Sequence, residues 1–272
     1  MLKYNKILEM SNNQYLENLA SRLVLSEEEK VSIKCSITNL QKHLQNWEHH
    51  ISIKNHYCFG SFSRDTLLPR AVDPNSDIDY MIEFDDNNRT QPQTYLNWLK
   101  DFAYTYYSRS DIHQDFPTIA LELNHIRFEL VPAVTPWGTL DLQIPAPKSL
   151  FFINWISTNP EQLRKDELNC NRQTGYKLKQ VIRLLKCWNV RQGKVISSYE
   201  LERCLTSMCF WGCLTLEDYF YYAASNLYVT GLSSDKQRKL EYLRNSIKQI
   251  KNYKKLGYNS EAERLLCNLV NY

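Results

Sequence analysis

The chain has 272 residues, 43% of them hydrophobic, which is enough for one large domain or two lobes with a sizeable core. Its formal net charge is only +3, from 33 Lys and Arg against 30 Asp and Glu. This balance argues against a constitutive binder of long duplex nucleic acid, because such proteins are usually strongly basic. The sequence has no apolar run of about eighteen residues and no apolar signal core at its N-terminus, so we expect no membrane partner.

The eight cysteines are scattered along the chain, and no Cys-x-x-Cys occurs. Most lie in apolar surroundings, where a free cysteine behaves as a small hydrophobic residue. We therefore expect a reduced, cytoplasmic protein. Cys204, Cys209 and Cys213 could be imagined as zinc ligands, but they fall in a predicted helix without a matching histidine, so we expect no zinc site.

Two helices are predicted in residues 1–50. Residues from about 13 to 24 have the pattern of a short helix. The next helix begins with a capping box, because Ser26 is followed three residues later by Glu29. Its apolar residues recur at spacings of four and three and predict about six or seven turns: Ile33, Ile37, Leu40, Leu44, Trp47 and Ile51. We expect these N-terminal helices to pack across both lobes.

The most informative stretch runs from Gly60 to Phe84. Residues 56–59 just before it have the pattern of a short strand that ends in a tight Gly60-Ser61 turn. After a loop, apolar and polar residues alternate over residues 77–84, which predicts a strand with one buried face. Residues two apart on a strand point the same way, so Asp77 and Asp79 are expected to project side by side.

The residue types in this stretch suit a metal-bound phosphate. Two adjacent ionised carboxylates repel each other unless a cation lies between them, and oxygen ligands of this kind suit Mg2+ or Mn2+. Gly60 lets the backbone approach a ligand closely, and the Ser61 hydroxyl adds a donor. If Phe62 to Leu68 begins a helix, its free N–H groups favour a phosphate. A lone Asp-x-Asp would by default be two solvated carboxylates on a surface strand, but the upstream Gly-Ser turn reverses that interpretation.

This stretch resembles the signature of the DNA polymerase β-like nucleotidyltransferase superfamily: a strand, Gly-Ser, a helix, then a strand with Asp-x-Asp. The superfamily places a third carboxylate on a neighbouring strand. Here the candidate is Glu129, in a predicted strand at 127–133 that follows another at 118–123. Glu122 in the earlier strand is the rival, but it lacks the Val-Pro-Ala context that follows Glu129. The usual family residue is aspartate, so the longer glutamate is a departure.

The lobe boundary is predicted from prolines. A helix is expected at residues 93–109, with Leu96, Leu99, Phe102 and Tyr106 on its buried face. Prolines and a glycine then mark an irregular connector from residue 132 onwards. We therefore expect a catalytic core at 51–147 and a helical lobe at 148–272.

Two patches of the helical lobe are candidates for holding a triphosphate. The first is a predicted helix at 176–189, in which Lys186 lies on a basic face opposite an apolar stripe. The second is a helix that begins at Ser197-Ser198, either of which could be its cap. In isolation these features would be a solvated helix face and an ordinary cap. Together they are similar to the bacterial CD-NTase and oligoadenylate synthetase branch, in which a lysine and a serine hold the donor triphosphate.

The resemblance implies an α+β fold: a polymerase β-like nucleotidyltransferase core with a mixed sheet flanked by helices, plus a helical C-terminal lobe. It also implies three carboxylates that hold two Mg2+ or Mn2+ ions and carry catalysis: Asp77, Asp79 and Glu129. The nucleotide-binding residues that it implies are Gly60, Ser61, Lys186 and Ser198.

The implied activity is metal-dependent and template-independent. It joins nucleoside triphosphates into a cyclic or short linear oligonucleotide second messenger and releases pyrophosphate. In this branch the product activates a separate effector protein in bacterial antiviral defence.

The acceptor stays open at the level of the sequence. Another nucleotide is the first choice, because the modest net charge favours a small anionic substrate over stable duplex nucleic acid. An RNA 3′ end is the second, supported by basic residues on a predicted helix at 234–257, although a solvated basic face is the default. Transfer to a protein or tRNA and an inactive sensing module are further alternatives. Tyr80, Trp188 and Tyr199 could stack on a base, but core packing is expected for each.

Overall fold

The computed structural model describes residues 11–48, 52–85, 90–146 and 154–270. The chain divides into a sheet unit, Ser26–Arg70 with Asn75–Arg164, and a helical unit, Met1–Leu25 with Ala71–Pro74 and Lys165–Tyr272. The division after residue 164 lies later than the boundary at 147 that the prolines indicated. It also assigns the two N-terminal helices to different units, and their packing across both lobes stays a prediction.

The described part of the sheet unit is built on a mixed sheet. Its strands in chain order are β1 (Ile53–Cys58), β2 (Asp77–Phe84), β3 (Asp111–Asp115), β4 (Thr118–Glu122), β5 (Arg127–Val134), β6 (Gln143–Pro145) and β7 (Trp155–Ser157). The order across the sheet is β1-β2-β5-β4-β3, with β6 beside β5 and β7 beside β6. Strands β2 and β5 run parallel, and the other pairs are antiparallel, so the predicted mixed sheet is confirmed.

Strand β2 has the predicted bounds, but the prediction of one buried face is wrong for its second half. Ile78 and Tyr80 are buried on one face, while Asp77 and Asp79 on the other face are half-buried. From Met81 onwards both faces are buried. The reason is an apolar cluster that continues the aspartate face, made of Met81, Val131 and Ala133 with Tyr57, Phe59, Leu142 and Ile144 against it.

Three of these strands were not predicted. Strand β3 has little apolar alternation, and β6 is a short piece of the segment that we interpreted as an irregular connector. Strand β7 lies in residues that we assigned to the helical lobe, so that assignment is wrong for this segment. Each forms because a neighbouring strand supplies backbone partners: β3 pairs with β4, β6 with β5 and β7 with β6. Pairing of this kind depends on tertiary contacts that a local pattern does not show.

The helices of both units follow in chain order. They are α1 (Asn12–Arg22), α2 (Glu27–Gln45), α3 (Gly60–Ser63), α4 (Pro92–Tyr106), α5 (Pro160–Gln173), α6 (Leu178–Arg191), α7 (Ser198–Thr206), α8 (Leu216–Asn226), α9 (Ser234–Lys255) and α10 (Asn259–Val270). The capping box of α2 is confirmed, with Ser26 and Glu29 bonding each other's backbone N–H.

Helix α2 is shorter than predicted, with 19 residues ending at Gln45. The predicted stripe extended to Trp47, which lies beyond the end of the helix. Its ring packs on Phe84 and Phe102, with ring centroids 6.4 and 5.1 Å away. Ile51, the last residue of the predicted stripe, lies outside the described residues. The stripe of apolar residues therefore marked a packed segment, but it overestimated the length of the helix.

The helical unit contains the predicted helices of the second lobe. The apolar stripe of α6 is completely buried, as predicted: Leu178, Val181, Ile182, Leu185 and Trp188 are each 0% exposed. Helix α7 is capped by Ser197, whose side chain accepts from the Glu200 N–H at 3.2 Å. No helix among the described residues combines the length and apolar character that a membrane span requires. All eight cysteines lie in the described ranges, and all are free thiols.

Candidate active site

The register of two parallel strands brings the predicted carboxylates together. Asp79 on β2 lies opposite Glu129 on β5, and Asp77 lies opposite Arg127. Because alternate residues of a strand share a face, Asp77, Asp79 and Glu129 lie on the same face of adjacent strands. This face continues into the apolar cluster around Met81, so the carboxylates stand at the edge of a core.

The Gly-Ser turn packs directly on one of these carboxylates. Gly60 has a φ of +68°, and a Cβ added to it would lie 1.7 Å from Asp79 Oδ2. No other residue fits there, because the backbone conformation and the space both exclude a side chain. The Phe59 N–H also donates to the Asp79 carbonyl at 3.0 Å, which joins the turn to β2.

The helix after this turn is much shorter than the one expected from Phe62 to Leu68. Helix α3 has four residues, Gly60–Ser63. It stops because Asp65 is in the left-handed region, with a φ of 57°, and the Thr66 N–H turns back to the Ser61 carbonyl at 2.9 Å. The expected helix at 62–68 is therefore wrong. Ser61 itself is buried beside Gly60.

Glu129 has an altered affinity for protons. The pKa of Glu129 is raised to about 7, mainly by burial and next by the charge of Asp77, while Arg127 opposes the rise. Asp77 lies opposite Arg127 on the neighbouring strand, close enough for its charge to contribute to this shift. The raised pKa reflects the unfavourable burial of a negative charge beside another carboxylate.

Arg127 is a member of this site that the sequence analysis did not single out. Its Nη2 lies 2.8 Å from Glu129 Oε1 and 2.7 Å from Asp115 Oδ2. Its Nη1 lies 3.6 Å from Glu122 Oε1. The hydrogen bond to Asp115 and the nearby carboxylates raise the pKa of Arg127 although burial lowers it, so the guanidinium stays charged. Its position two residues before Glu129 on one strand was the available signal.

The register separates Glu129 from its rival, Glu122. Glu129 is on β5, directly beside the aspartates of β2, whereas Glu122 is one strand further away on β4 and lies opposite Arg127. Its acidic group contacts Arg127. The geometry therefore favours Glu129 as the third carboxylate.

A metal ion at this face has to be judged from the donor set. Three carboxylates on neighbouring strand positions suit a hard divalent cation in kind and in register. Within the described ranges, however, no group of three or more His, Cys, Asp or Glu side chains is gathered as a metal site. At the third carboxylate, Arg127 Nη2 lies 2.8 Å from Glu129 Oε1. The donor types therefore suit a divalent ion, while Glu129 already has Arg127 as a partner.

The two phosphate ligands predicted in the helical unit have different surroundings. Lys186 on α6 is buried and forms an ion pair with Glu202 of α7. Ser198 is the first residue of α7 and is exposed, and the capping hydroxyl is that of Ser197. Glu202 lies one turn after Ser198, on the same helix face, so Lys186 reaches α7 near its N-terminus. Glu202 was missed, although its spacing of four from Ser198 could have indicated it.

The candidate aromatic residues also separate by burial. Tyr80 and Trp188 are 0% exposed, as their predicted core role requires. Tyr80 is further held by a 2.7 Å hydrogen bond between its hydroxyl and His56 Nδ1. Tyr199, expected in the core, is exposed beside Ser198. The core prediction is wrong for this residue because it faces outward on the first turn of α7.

The mixed sheet, the Gly60 turn against Asp79 and the parallel carboxylate strands define a polymerase β-like nucleotidyltransferase. Residues 10–171, more than half of the chain, match the Second Messenger Oligonucleotide or Dinucleotide Synthetase (SMODS) domain. The chain therefore belongs to this family, within the CD-NTase branch of the nucleotidyltransferase superfamily. It is accordingly a nucleotidyltransferase.

Solved structures share this fold at low sequence identity. The CD-NTase CdnG of Bradyrhizobium diazoefficiens in complex with GTP is 12% identical, with a TM-score of 0.67 over 94% of this chain and 97% of that one. The STING-associated CdnE c-di-GMP synthase of Capnocytophaga granulosa is 16% identical, with a TM-score of 0.65 over 98% and 88%. Vibrio cholerae DncV cyclic AMP-GMP synthase with the linear intermediate 5′ pppA(3′,5′)pG is 12% identical, with a TM-score of 0.67 over 93% of each chain. The curated proteins contain no match to the sequence.

Proposed function

We propose that this nucleotidyltransferase joins nucleoside triphosphates into a cyclic or short linear oligonucleotide messenger and releases pyrophosphate, with divalent metal ions at Asp77, Asp79 and Glu129. The observation that carries the proposal is the parallel register of β2 and β5 with Gly60 packed against Asp79. That arrangement puts three carboxylates beside a turn whose backbone can approach a phosphate.

The residues of the site suggest how the reaction proceeds. The acceptor hydroxyl oxygen bonds to the α-phosphorus of a triphosphate, and the bond to the pyrophosphate oxygen breaks in line with it. Bound divalent ions would supply neutralisation of the phosphate charge and activation of the hydroxyl. Glu129 would complete the site of the ion that activates the hydroxyl and would assist the loss of the hydroxyl proton. Gly60, Ser61, Lys186 and Ser198 would orient the phosphates.

Relatives of the same fold support a nucleotide as the acceptor. The Capnocytophaga protein is a c-di-GMP synthase, and the Vibrio protein holds a linear dinucleotide intermediate. We propose the same class of product here, with a separate effector protein in the cytoplasm that senses it as part of anti-phage defence.

RNA tailing receives less support from the basic helix than its sequence suggested. On α9, Lys239 donates to the Gln192 carbonyl at 2.9 Å and Arg244 donates to the Leu227 carbonyl. Lys254 pairs with Glu217, and Lys251 lies 5.8 Å from the centre of the Tyr221 ring. These cations support packing inside the helical unit, which leaves a smaller basic surface for RNA.

The test is a product assay with matched variants. The protein is incubated with all four ribonucleotides, and separately all four deoxynucleotides, with Mg2+ and then Mn2+, and phosphatase-treated products are read by mass. We expect a phosphatase-resistant small product or a phosphatase-sensitive ladder of linear oligomers. The Asp77→Asn/Asp79→Asn variant should make none, whereas Asp101→Asn, at an exposed position of α4, should match the wild type.

Three outcomes contradict the proposal. Wild-type turnover by Asp77→Asn/Asp79→Asn would remove the metal site from these residues. Extension of an added RNA, with no product from nucleotides alone, would establish tailing instead. Labelling of an added protein or tRNA alone would establish that acceptor class.

A further inference from the structure

Arg127 lies at the centre of a cluster that the proposed reaction does not use. We call it the Arg127 cluster: Arg127 with Asp115 of β3, Glu122 of β4 and Glu129 of β5. Three neighbouring strands each contribute one carboxylate to a single guanidinium. A guanidinium has five N–H donors, so a single arginine can interact with all three carboxylates.

The position of Arg127 sets it in competition with a metal ion. Arg127 lies opposite Asp77 in the register and shares a strand face with Glu129. A divalent cation between the three predicted metal carboxylates would therefore lie close to a positive guanidinium that binds one of the same carboxylates. The metal ion and the guanidinium repel each other and compete for Glu129. Their electrostatic interaction is stronger in a partly buried setting than in water.

Asp115 and Glu122 lower the free-energy cost of moving Glu129 from Arg127 to a metal ion. If Glu129 turned to a metal ion and Arg127 had no other partner, a half-buried charge would be left uncompensated, which is costly. Asp115 already accepts from Nη2 at 2.7 Å, and Glu122 is 3.6 Å from Nη1. Both can retain the guanidinium after Glu129 leaves it.

This part of the sheet is rich in acidic groups, because Asp77 and Asp79 of β2 lie beside the strand that carries Arg127 and Glu129. Asp115 and Glu122 add two more carboxylates around Arg127. A bound divalent cation would reduce the repulsion among the carboxylates that it contacts.

We infer that Arg127 is a positioning residue that holds Glu129 before metal binds and releases it to the metal, while Asp115 and Glu122 retain the guanidinium. This inference rests on the proposed metal site of the nucleotidyltransferase. It predicts that the arginine weakens metal binding by the nucleotide-free protein and that the two outer carboxylates counteract this effect.

The first test is a Mn2+ titration of the full chain without nucleotide, read by the electron paramagnetic resonance of free Mn2+. Arg127→Met should bind Mn2+ about tenfold more tightly than the wild type, because a competing charge is removed. Arg127→Lys should fall between the two, since lysine keeps the charge but loses the fork that bridges several carboxylates. Arg109→Met, at an exposed arginine of the same unit, should leave the affinity unchanged.

The second test separates retention of Arg127 from direct charge effects. Asp115→Asn/Glu122→Gln should weaken Mn2+ binding about threefold, as expected for partly exposed ion pairs. The same change made in Arg127→Met should have no effect, because there is no guanidinium left to retain. Equal weakening in both backgrounds would show that these carboxylates act only through their charge, and the retention step would be wrong.

Thermal unfolding confirms that each variant is folded, and the Mn2+-induced rise in Tm should be larger for Arg127→Met than for the wild type. Equal or weaker Mn2+ binding by Arg127→Met and Arg127→Lys, or no binding by any of the proteins, overturns the inference. The predicted order of affinities without any oligonucleotide product would leave the inference standing and remove the proposed function. An oligonucleotide product, together with a Mn2+ affinity that is unchanged in the Arg127 variants, would support the proposed function and overturn the inference.

Discussion

The helical unit and the sheet unit each hold a basic side chain against acidic groups, but in opposite surroundings. In the helical unit the Glu202 side chain is 0% exposed and that of Lys186 is 6% exposed. In the sheet unit the Glu129 side chain is 22% exposed, and Arg127 joins it to Asp115, which is 59% exposed. A pair sealed from water cannot change partners without leaving a buried charge, whereas a pair bordered by water can. We therefore expect mutations to change stability in the first case and ligand binding in the second.

Breaking the sealed pair should have the largest effect. In Glu202→Ala, Lys186 loses this carboxylate inside the helical unit, so the free energy of unfolding should fall by about 3–5 kcal/mol. Urea unfolding followed by circular dichroism measures it. Glu241→Ala, at an exposed position of α9, is the control and should change this free energy by less than about 0.5 kcal/mol. A loss no larger than the control's would show that the pair of Lys186 and Glu202 contributes little to the free energy of unfolding.

The next largest effect should be the loss of turnover in Gly60→Ala, because the sheet unit leaves no space for a side chain at this position. The Cβ of Gly60→Ala would lie 1.7 Å from Asp79 Oδ2, so the carboxylate must move. We expect turnover to fall about 100-fold, because a displacement of this order is enough to misalign a catalytic group. Product formation with saturating triphosphate measures it.

Gly138→Ala is a control that distinguishes the contact of an added Cβ with Asp79 from the strain of a positive φ. Gly138 has a comparable φ of +76°, but nothing lies within 4 Å of its added Cβ. Its turnover should stay within about twofold of the wild type, since the strain of a left-handed alanine costs only about 1–2 kcal/mol of stability away from the site. If both alanine variants lost activity equally, contact with Asp79 would not be the cause.

The smallest of these effects concerns binding by the helical unit. Lys186→Met/Glu202→Gln replaces the sealed pair by neutral groups of similar size, so the fold should be retained. If Lys186 also contacts the triphosphate, the KM for triphosphate should rise about tenfold while kcat changes little, the pattern of a lost binding contact. Steady-state kinetics with Lys248→Met, an exposed lysine of α9, as control measures this. An unchanged KM would take Lys186 out of the nucleotide site and leave it a structural role.

The sequence was most informative where chemistry and spacing coincide. The alternation at 77–84 predicted β2 with its bounds, and the capping box at Ser26 predicted the start of α2. The Gly-Ser turn predicted a glycine that lets the backbone approach a ligand closely, and Gly60 has a positive φ of +68° that favours glycine. These features are local, because each depends on residues only a few positions apart.

Other features depended on partners far along the chain. Strand β3 forms at the edge of the sheet because β4 supplies its backbone partners. The short helix α3 ends where Asp65 takes a left-handed conformation, which residue type alone does not dictate. Arg127 contacts Asp115 of β3, and Glu202 contacts Lys186 of α6, because the fold brings these segments together.

The sequence by itself therefore determined the residue types of the reaction and the local geometry that pairs Asp77 with Asp79. Only the tertiary structure decided that Glu129, and not Glu122, lies on the adjacent strand, since the parallel pairing of β2 with β5 sets that neighbour. It alone also showed that Asp115 of β3 and Glu122 of β4 contact Arg127. The physical reason is that a strand's own pattern fixes which face a side chain occupies, whereas its neighbours across the sheet depend on the order and register of distant segments.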